Sequence, residues 1–570
     1  MSRYRLTVDH LSYTYPGRSD PTLKDIRLEV PEGSVVLITG PTGCGKSTLM
    51  KCLCGIIPHE TGGVMTGRVQ IGRLSDTRRA NLHEVTKQVG LVFQNPDEQI
   101  FATLVRDEVA FGPENRGVAE ERIDQLVAEA LACVGLDGAL RQRTDELSGG
   151  QKQRVVVAGQ LAVGHEILCL DEPFSQMDPQ GAAALREVLK HLAASRRTTI
   201  LLVEHRVHEV AELVDRVVIM EKGEILLDLS AATAFDDLSP FRRLGLNVPQ
   251  SADLFSRLGL KERPLKAEDA LLLLRKKGRP KAARPPSPEC EPGRGRRESK
   301  ALDPGTGPPP AVAIDALSFH YDPARPLFEE LTLAVHPGER VAVMGPNGCG
   351  KTTLLLLIAG LLNPLVGRIR YHGEALKAKQ VLGRRVGFLL QNPDLMLVRD
   401  TVGEELTFPL HHGRIPREEV AGKVRDALEV MMIAPLQNDY CFALSKGQRL
   451  RTAVASLLTL DPPVILLDEP TTGQDRNNIS EMMAHFERMG KTVIFSTHDL
   501  TTAIHHATRL LVMKKGRICY DGPPRDFFTP PAFDPECALV PGEVMKIAQG
   551  LGFEEPVATV DDFVALWMNR

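Results

Sequence analysis

The chain is one long pattern written twice, and this duplication constrains its fold more than any local propensity does. GPTGCGKST (40–48), QNPD (94–97), LSGGQ (147–151), ILCLDEP (167–173) and EH (204–205) come first. GPNGCGKTT (345–353), QNPD (391–394), LSKGQ (444–448), VILLDEP (464–470) and TH (497–498) follow in the same order. The spacings repeat as well: Gln94 to Ser148 and Gln391 to Ser445 both span 54 residues, and Ser148 to Glu172 and Ser445 to Glu469 both span 24. A lone G-x-x-x-x-G-K-[ST] arises by chance in a chain this long with a probability on the order of 0.02. Two copies in register exclude coincidence.

A weaker echo follows each copy. Residues 246–274 align with 539–567, the intervals Pro249 to Pro264 and Pro541 to Pro556 are both 15 residues, and Asp269 falls opposite Asp561. The reading is a small helical appendix on each unit. Between the units, nine prolines from Pro280 to Pro310 and clusters such as Arg294, Arg296 and Arg297 mark sequence too poor in apolar residues to offset its ordering entropy. It is read as a linker, either a solvated spacer or a segment whose basic residues meet anionic headgroups. The expected organisation is 1–235 for the first α/β unit, 236–275 for its appendix, 276–311 for the linker, 312–528 for the second unit and 529–570 for its appendix.

The repeated words carry chemistry. Val35 to Thr39 and Val341 to Met344 read as buried strands, each entering a glycine-rich loop and then a helix beginning near Lys46 or Lys351. That context makes Gly40, Pro41, Thr42, Gly43, Cys44, Gly45, Lys46, Ser47 and Thr48 a phosphate-binding loop. Its glycines let backbone N–H groups turn inward, and the helix N-terminus adds its positive dipole end. Gly345, Pro346, Asn347, Gly348, Cys349, Gly350, Lys351, Thr352 and Thr353 repeat it. Lys46 and Lys351 are assigned to the β- and γ-phosphates of ATP, and Ser47 and Thr352 to Mg²⁺. With no base beside them, Cys44 and Cys349 read as small fillers.

Ile167 to Leu170 and Val464 to Leu467 have the form of buried parallel strands that carry acids to their C-terminal edge. Asp171 and Asp468 suit the Mg²⁺ shell, and Glu172 and Glu469 suit polarisation of the attacking water. His205 and His498, after the strands Thr199 to Val203 and Thr492 to Ser496, are expected to reach the γ-phosphate.

Composition closes off other classes. With 570 residues, Lys+Arg 69 against Asp+Glu 73 and a net charge of -4, nothing points to nucleic acid, and a disulfide-stapled mini-protein is excluded. The ten cysteines never fall in CxxC spacing, which fits a reducing compartment. MSRYRLTVDH has no apolar signal core, and the longest apolar stretch, Leu354 to Leu362, is far below the roughly 20 residues that span a bilayer. The expectation is a cytoplasmic chain that reaches a membrane only through partners.

LSGGQ resembles the signature of the ATP-binding cassette (ABC) family, and the resemblance covers both units. It implies two nucleotide-binding domains of the phosphate-loop NTPase type in tandem, each with a helical signature subdomain. It further implies that the two domains face head to tail, each signature completing the other's ATP site. One composite site would join Lys46, Ser47, Gln94, Asp171, Glu172 and His205 to Ser445, Gly447 and Gln448. The other would join Lys351, Thr352, Gln391, Asp468, Glu469 and His498 to Ser148, Gly149, Gly150 and Gln151. Gln94 and Gln391 are assigned both to Mg²⁺ and to catalysis. Tyr15 and Tyr321 stand where the adenine-stacking aromatic belongs, with core packing as the other reading, and Asp178 and Asp475 where an aspartate crosses the dimer interface. Lys446 departs from the pattern by replacing a glycine.

FQNPDEQIF (93–101), VRDEVAFGPEN (105–115), LSGGQKQRVVVAGQLA (147–162) and the appendices are similar to the ATPases of energy-coupling factor (ECF) transporters, including cobalt and nickel importers. That likeness implies an ATPase that drives uptake of a vitamin or a transition-metal ion, peripheral on the cytoplasmic face of the membrane. Its partners would be a membrane T component docking beside Gln94 and Gln391, and a substrate-binding S component. Asp97, Glu98 and Asp394 are read as anchors for arginines of the T component. Two other readings are a soluble tandem-cassette ATPase acting on ribosomes and the tandem ATPase of a sugar importer.

Overall fold

The computed structural model describes residues 4–72, 74–175, 177, 179–277, 308–376, 378–471, 476–527, 539–553 and 555–569. Most of the expected linker therefore lies outside the described residues, as do Asp178 and Asp475. The chain divides into two compact units, one of Met1–Leu265 and one of Lys266–Thr471 with Asn478–Arg570.

In the first unit, β1 (Tyr4–Thr14), β2 (Leu23–Pro31) and β4 (Val64–Ile71) form an antiparallel sheet in the order β2-β1-β4. Alternating burial along β2 turns Ile26, Leu28 and Val30 inward, as a half-covered strand requires. The main sheet runs β5 (Val89–Val92), β6 (Ile167–Asp171), β7 (Thr199–Val203), β3 (Val35–Thr39), β8 (Arg216–Glu221) and β9 (Glu224–Ser230). All its pairings are parallel except the last, β8 with β9. Every residue of β3, β6 and β7 is buried, which is why these strands read as continuous apolar runs rather than alternating ones.

The register decides what meets. Asp171 lies opposite Val203, and Val203 opposite Ile38. The phosphate loop after β3, the acids ending β6 and His205 after β7 therefore leave neighbouring strands at one edge, where open parallel sheets bind ligands. The helices Val105–Asn115, Glu120–Cys133 and Gly149–Val163 bury Val105, Val109, Ile123, Val127, Leu131, Val155 and Val157 in the core on one side of this sheet.

The second unit repeats the plan. β10 (Val312–Phe319), β11 (Phe328–Val335) and β13 (Val366–Tyr371) form the small sheet. The large one orders β14 (Val386–Leu389), β15 (Val464–Leu467), β16 (Thr492–Ser496), β12 (Arg340–Met344), β17 (Arg509–Lys514) and β18 (Arg517–Gly522). The helices of the echo regions are Gln250–Arg257 and Ala267–Lys277, and Glu543–Gly550 and Val560–Asn569. Ala267–Lys277 runs two residues past the expected end of the first appendix and belongs to the second compact unit, where Arg275 Nη2 donates to Gly550 O at 2.7 Å.

Leu202, the fourth of the five residues of β7, is 1% exposed. Leu202→Ala is expected to destabilise the protein by about 2–5 kcal/mol, read from urea denaturation followed by circular dichroism.

Candidate nucleotide sites

Each phosphate loop is shaped by glycines at positive φ, and the first of them leaves no room for a side chain. Gly40, Gly43 and Gly45 all have positive φ, and a Cβ on Gly40 would stand 2.2 Å from Met220 O. The corresponding clash at Gly345 is with Met513 O, also at 2.2 Å. Lys46 is buried and its ammonium donates to Gly40 O at 2.8 Å and Pro41 O at 3.0 Å. Lys351 does the same with Gly345 O at 3.0 Å and Pro346 O at 3.2 Å. The helices Lys46–Leu53 and Lys351–Ile358 begin at these lysines and turn their N-termini toward the loops. Burial pushes the Cys44 and Cys349 thiols up, so they stay protonated packing atoms.

The acids stand beside the loops. Burial first, and then the charge of Glu172, push the Asp171 carboxyl up to about 6, while a hydrogen bond from Ser47 opposes the shift. Among the described residues, Asp171 Oδ1 is buried without a hydrogen-bond partner. An orphaned carboxylate oxygen next to a serine hydroxyl fits Mg²⁺, which takes one or two protein oxygens and completes its shell with phosphate and water. In the second unit Thr352 Oγ1 donates to Asp468 Oδ2 at 2.9 Å and Ser496 Oγ to Asp468 Oδ1 at 2.7 Å. Burial raises the Asp468 carboxyl too, though these hydroxyls counter it.

Glu172 and Glu469 share an unusual backbone. Both sit at φ 48°, a left-handed conformation that costs a non-glycine residue about 1–3 kcal/mol and recurs at functional sites. It turns each side chain off the end of its strand toward the neighbouring histidine: Glu172 Oε1 is 3.0 Å from His205 Nε2, and Glu469 Oε1 is 3.1 Å from His498 Nε2. Gln94 Nε2 donates to Glu172 Oε2 at 2.5 Å, whereas Gln391 is exposed. Strand order thus brings Gln94, Glu172 and His205 together from three separate stretches of chain.

Tyr15 and Tyr321 lie against the loops. Their hydroxyls come within 3.1 Å of Thr48 Oγ1 and 3.4 Å of Thr353 Oγ1. Tyr15 is part-buried against Tyr13, but Tyr321 is 66% exposed, so core packing does not describe it. Ser148 and Ser445 begin the helices Gly149–Val163 and Lys446–Leu458 with matching capping boxes, their amides donating to Gln151 and Gln448 at 2.9 Å. The signature polar groups therefore order the N-terminus of their own helix.

Asp97 and Asp394, read from sequence as anchors for a partner's arginines, are already engaged. Lys152 Nζ is 2.6 Å from Asp97 and Arg449 Nε is 2.6 Å from Asp394, because the signature helix carries a cation four residues beyond its capping serine in each unit. Sequence reasoning also passed over Glu108 and Glu405. Glu108 accepts the amides of Phe101 and Ala102 at 3.1 and 2.9 Å, and Glu405 those of Val398 and Arg399 at 2.8 and 2.9 Å. Their signal was available, since each lies 14 residues past its glutamine. Glu204 was missed as well. It is buried, and burial followed by the charge of Glu172 pushes its carboxyl from 4.5 up to about 7.

Because the folded Glu204 holds a proton that the unfolded chain releases, its contribution to stability is complete below about pH 4.5 and is lost as pH rises to about 7. Glu204→Gln is expected to flatten that part of the stability–pH curve, measured as urea midpoints from pH 4.5 to 7.5 at fixed ionic strength.

A sequence-family profile described as ABC transporter matches residues 23–175 and 328–472. A Methanosarcina mazei protein, provisionally named an ABC transporter ATP-binding protein, is 46% identical over 551 residues, covering 96% of this chain and 94% of the relative. The Bacillus subtilis protein provisionally named HMP/thiamine import ATP-binding protein YkoD is 32% identical over 531 residues, with 92% of each chain covered. Among solved structures, cbiO1 from Clostridium perfringens, described as part of the ABC transporter complex cbiONQ, matches at 30% identity and a TM-score of 0.39. That match covers 45% of this chain and all of the other.

Proposed function

The chain belongs to the ABC transporter family as a tandem ATPase coupled to transport, and from that premise we propose that it is the energy-coupling component of an ECF-type importer. The observation that carries the catalytic half of this reading is the pair of strained glutamates, each held at about 3 Å by a histidine at the same strand edge in both units. Phosphoryl transfer needs positioning and charge neutralisation more than covalent help. Glu172 and Glu469 orient the attacking water, His205 and His498 steady the γ-phosphate, and Lys46 and Lys351 hold the β- and γ-phosphates. Asp171 with Ser47, and Asp468 with Thr352, would hold Mg²⁺, which supplies charge neutralisation across the phosphates. Tyr15 and Tyr321 stack on adenine. Each ATP is completed by the signature of the other cassette, Ser445 and Gly447 on one side and Ser148, Gly149 and Gly150 on the other.

The membrane half of the reading rests on QNPD, the appendices, the import function in the name of the Bacillus subtilis relative, and apolar side chains beyond each QNPD. Phe101 and Leu395 are 62% and 72% exposed, and Phe101 packs edge-on against the exposed Phe111. Such side chains suit a coupling helix of a T component. Among the described residues no helix is long and apolar enough to cross a membrane, so the translocation path belongs to separate T and S components and the solute, a vitamin or a metal ion, to the S component. An arginine of the T component would have to compete with Lys152 or Arg449 for Asp97 or Asp394.

Co-expression with a T and an S component tests the assembly. The expected result is a detergent-stable complex whose bound solute mass spectrometry identifies. Sedimentation with ribosomes, resistant to salt and with no membrane partner recovered, would sink it. Lys446 in one signature makes the Lys46/Glu172 site the slower of the two. Glu172→Gln should therefore retain about threefold more ATPase than Glu469→Gln, and equal residual rates would remove the asymmetry.

A further inference from the structure

Glu204 spends its carboxylate on two backbone amides. Its Oε1 accepts from Phe174 N–H at 3.2 Å and its Oε2 from Arg206 N–H at 2.9 Å. Arg206 completes the grip, its Nη1 donating to Phe174 O at 3.4 Å. Both backbone groups of Phe174, two residues after Glu172, are thus held by the two residues that flank His205. Phe174 is itself wholly buried.

The second unit builds this place differently. Thr497, Asp499 and Thr471 occupy the corresponding positions. The Thr497 hydroxyl meets that of Thr471 at 3.4 Å and accepts from Asp499 N–H at 3.0 Å. The Asp499 carboxylate turns to cap its own helix, accepting from Thr501 N–H at 2.8 Å and Thr502 Oγ1 at 2.7 Å. One hydroxyl contact stands where the first unit has a carboxylate on the N–H and a guanidinium on the C=O of a single residue. A buried carboxylate beside another acid is costly to keep, so its hydrogen bonds must be worth retaining.

We propose that Glu204 and Arg206 form a clasp that makes the loop after Glu172 and the loop of His205 move as one body, holding this glutamate–histidine pair in register for hydrolysis in the first cassette alone. The proposal rests on the roles given above to Glu172 and His205. Glu204 touches no reacting atom and acts as a positioning residue. Losing it lowers turnover without weakening ATP binding, because the phosphate loop and Tyr15 are untouched.

The test uses the full chain in a Glu469→Gln background, where residual ATPase reports the first site. Glu204→Ala is expected to lower kcat about tenfold with KM for ATP within about twofold, and Arg206→Ala to lower kcat about threefold. The triple variant Phe174→Thr/Glu204→Thr/Arg206→Asp, which installs the second unit's residues at all three positions, should recover kcat to within about threefold of its parent. A kcat change under about twofold for Glu204→Ala, or a loss confined to KM, overturns the clasp, as does a folded triple variant with no recovery. If Glu204→Ala does not unfold cooperatively, Arg206→Ala and the triple variant decide by the same criteria. A parent without turnover, or one whose residual rate survives added Glu172→Gln, overturns instead the role of Glu172 on which the clasp depends.

Discussion

Parallel pairing of β6, β7 and β3, and of β15, β16 and β12, is the constraint from which each site follows. Buried on both faces, these strands offer water only their ends, and parallel direction puts those ends at one edge. A loop of glycines, a pair of acids and a histidine that lie far apart in the chain become neighbours there. The apolar runs that precede them are the means of placement: a polar residue within β6 would break the burial that aligns Asp171 with Val203.

At that edge the protein keeps features that stability alone would not select. Two glutamates hold left-handed backbones, Asp171 leaves a buried oxygen unpaired, and Glu204 carries a carboxylate into the interior. Each is unfavourable by itself; the glutamates and Asp171 stand at the strand edge beside the phosphate loop, and Glu204 lies behind them on the amides of Phe174 and Arg206. The signature helices have the opposite character, since their serines and glutamines satisfy their own first-turn amides and leave a well-ordered helix N-terminus.

The two units are alike in plan and unlike in detail. Gln94 reaches Glu172 while Gln391 is exposed, Asp468 is met by two hydroxyls while Asp171 keeps a bare oxygen, and Glu204 with Arg206 replaces Thr497 with Asp499. The phosphate loops and the glutamate–histidine pairs recur in both units, and the differences lie in the partners around them.

Much of this was determined by the amino-acid sequence. Glycine spacing, continuous apolar runs and repeated intervals identified the loops, the strands and the residues Lys46, Asp171, Glu172 and His205, because local backbone demands and burial leave periodic marks. Exact contacts left no such mark. That Lys152 and Arg449 engage Asp97 and Asp394, and that Glu204 grips Phe174, depend on which loops the register sets side by side. A charged residue reads the same in sequence whether water or a backbone amide satisfies it, and only the packing of distant segments decides which of the two it meets.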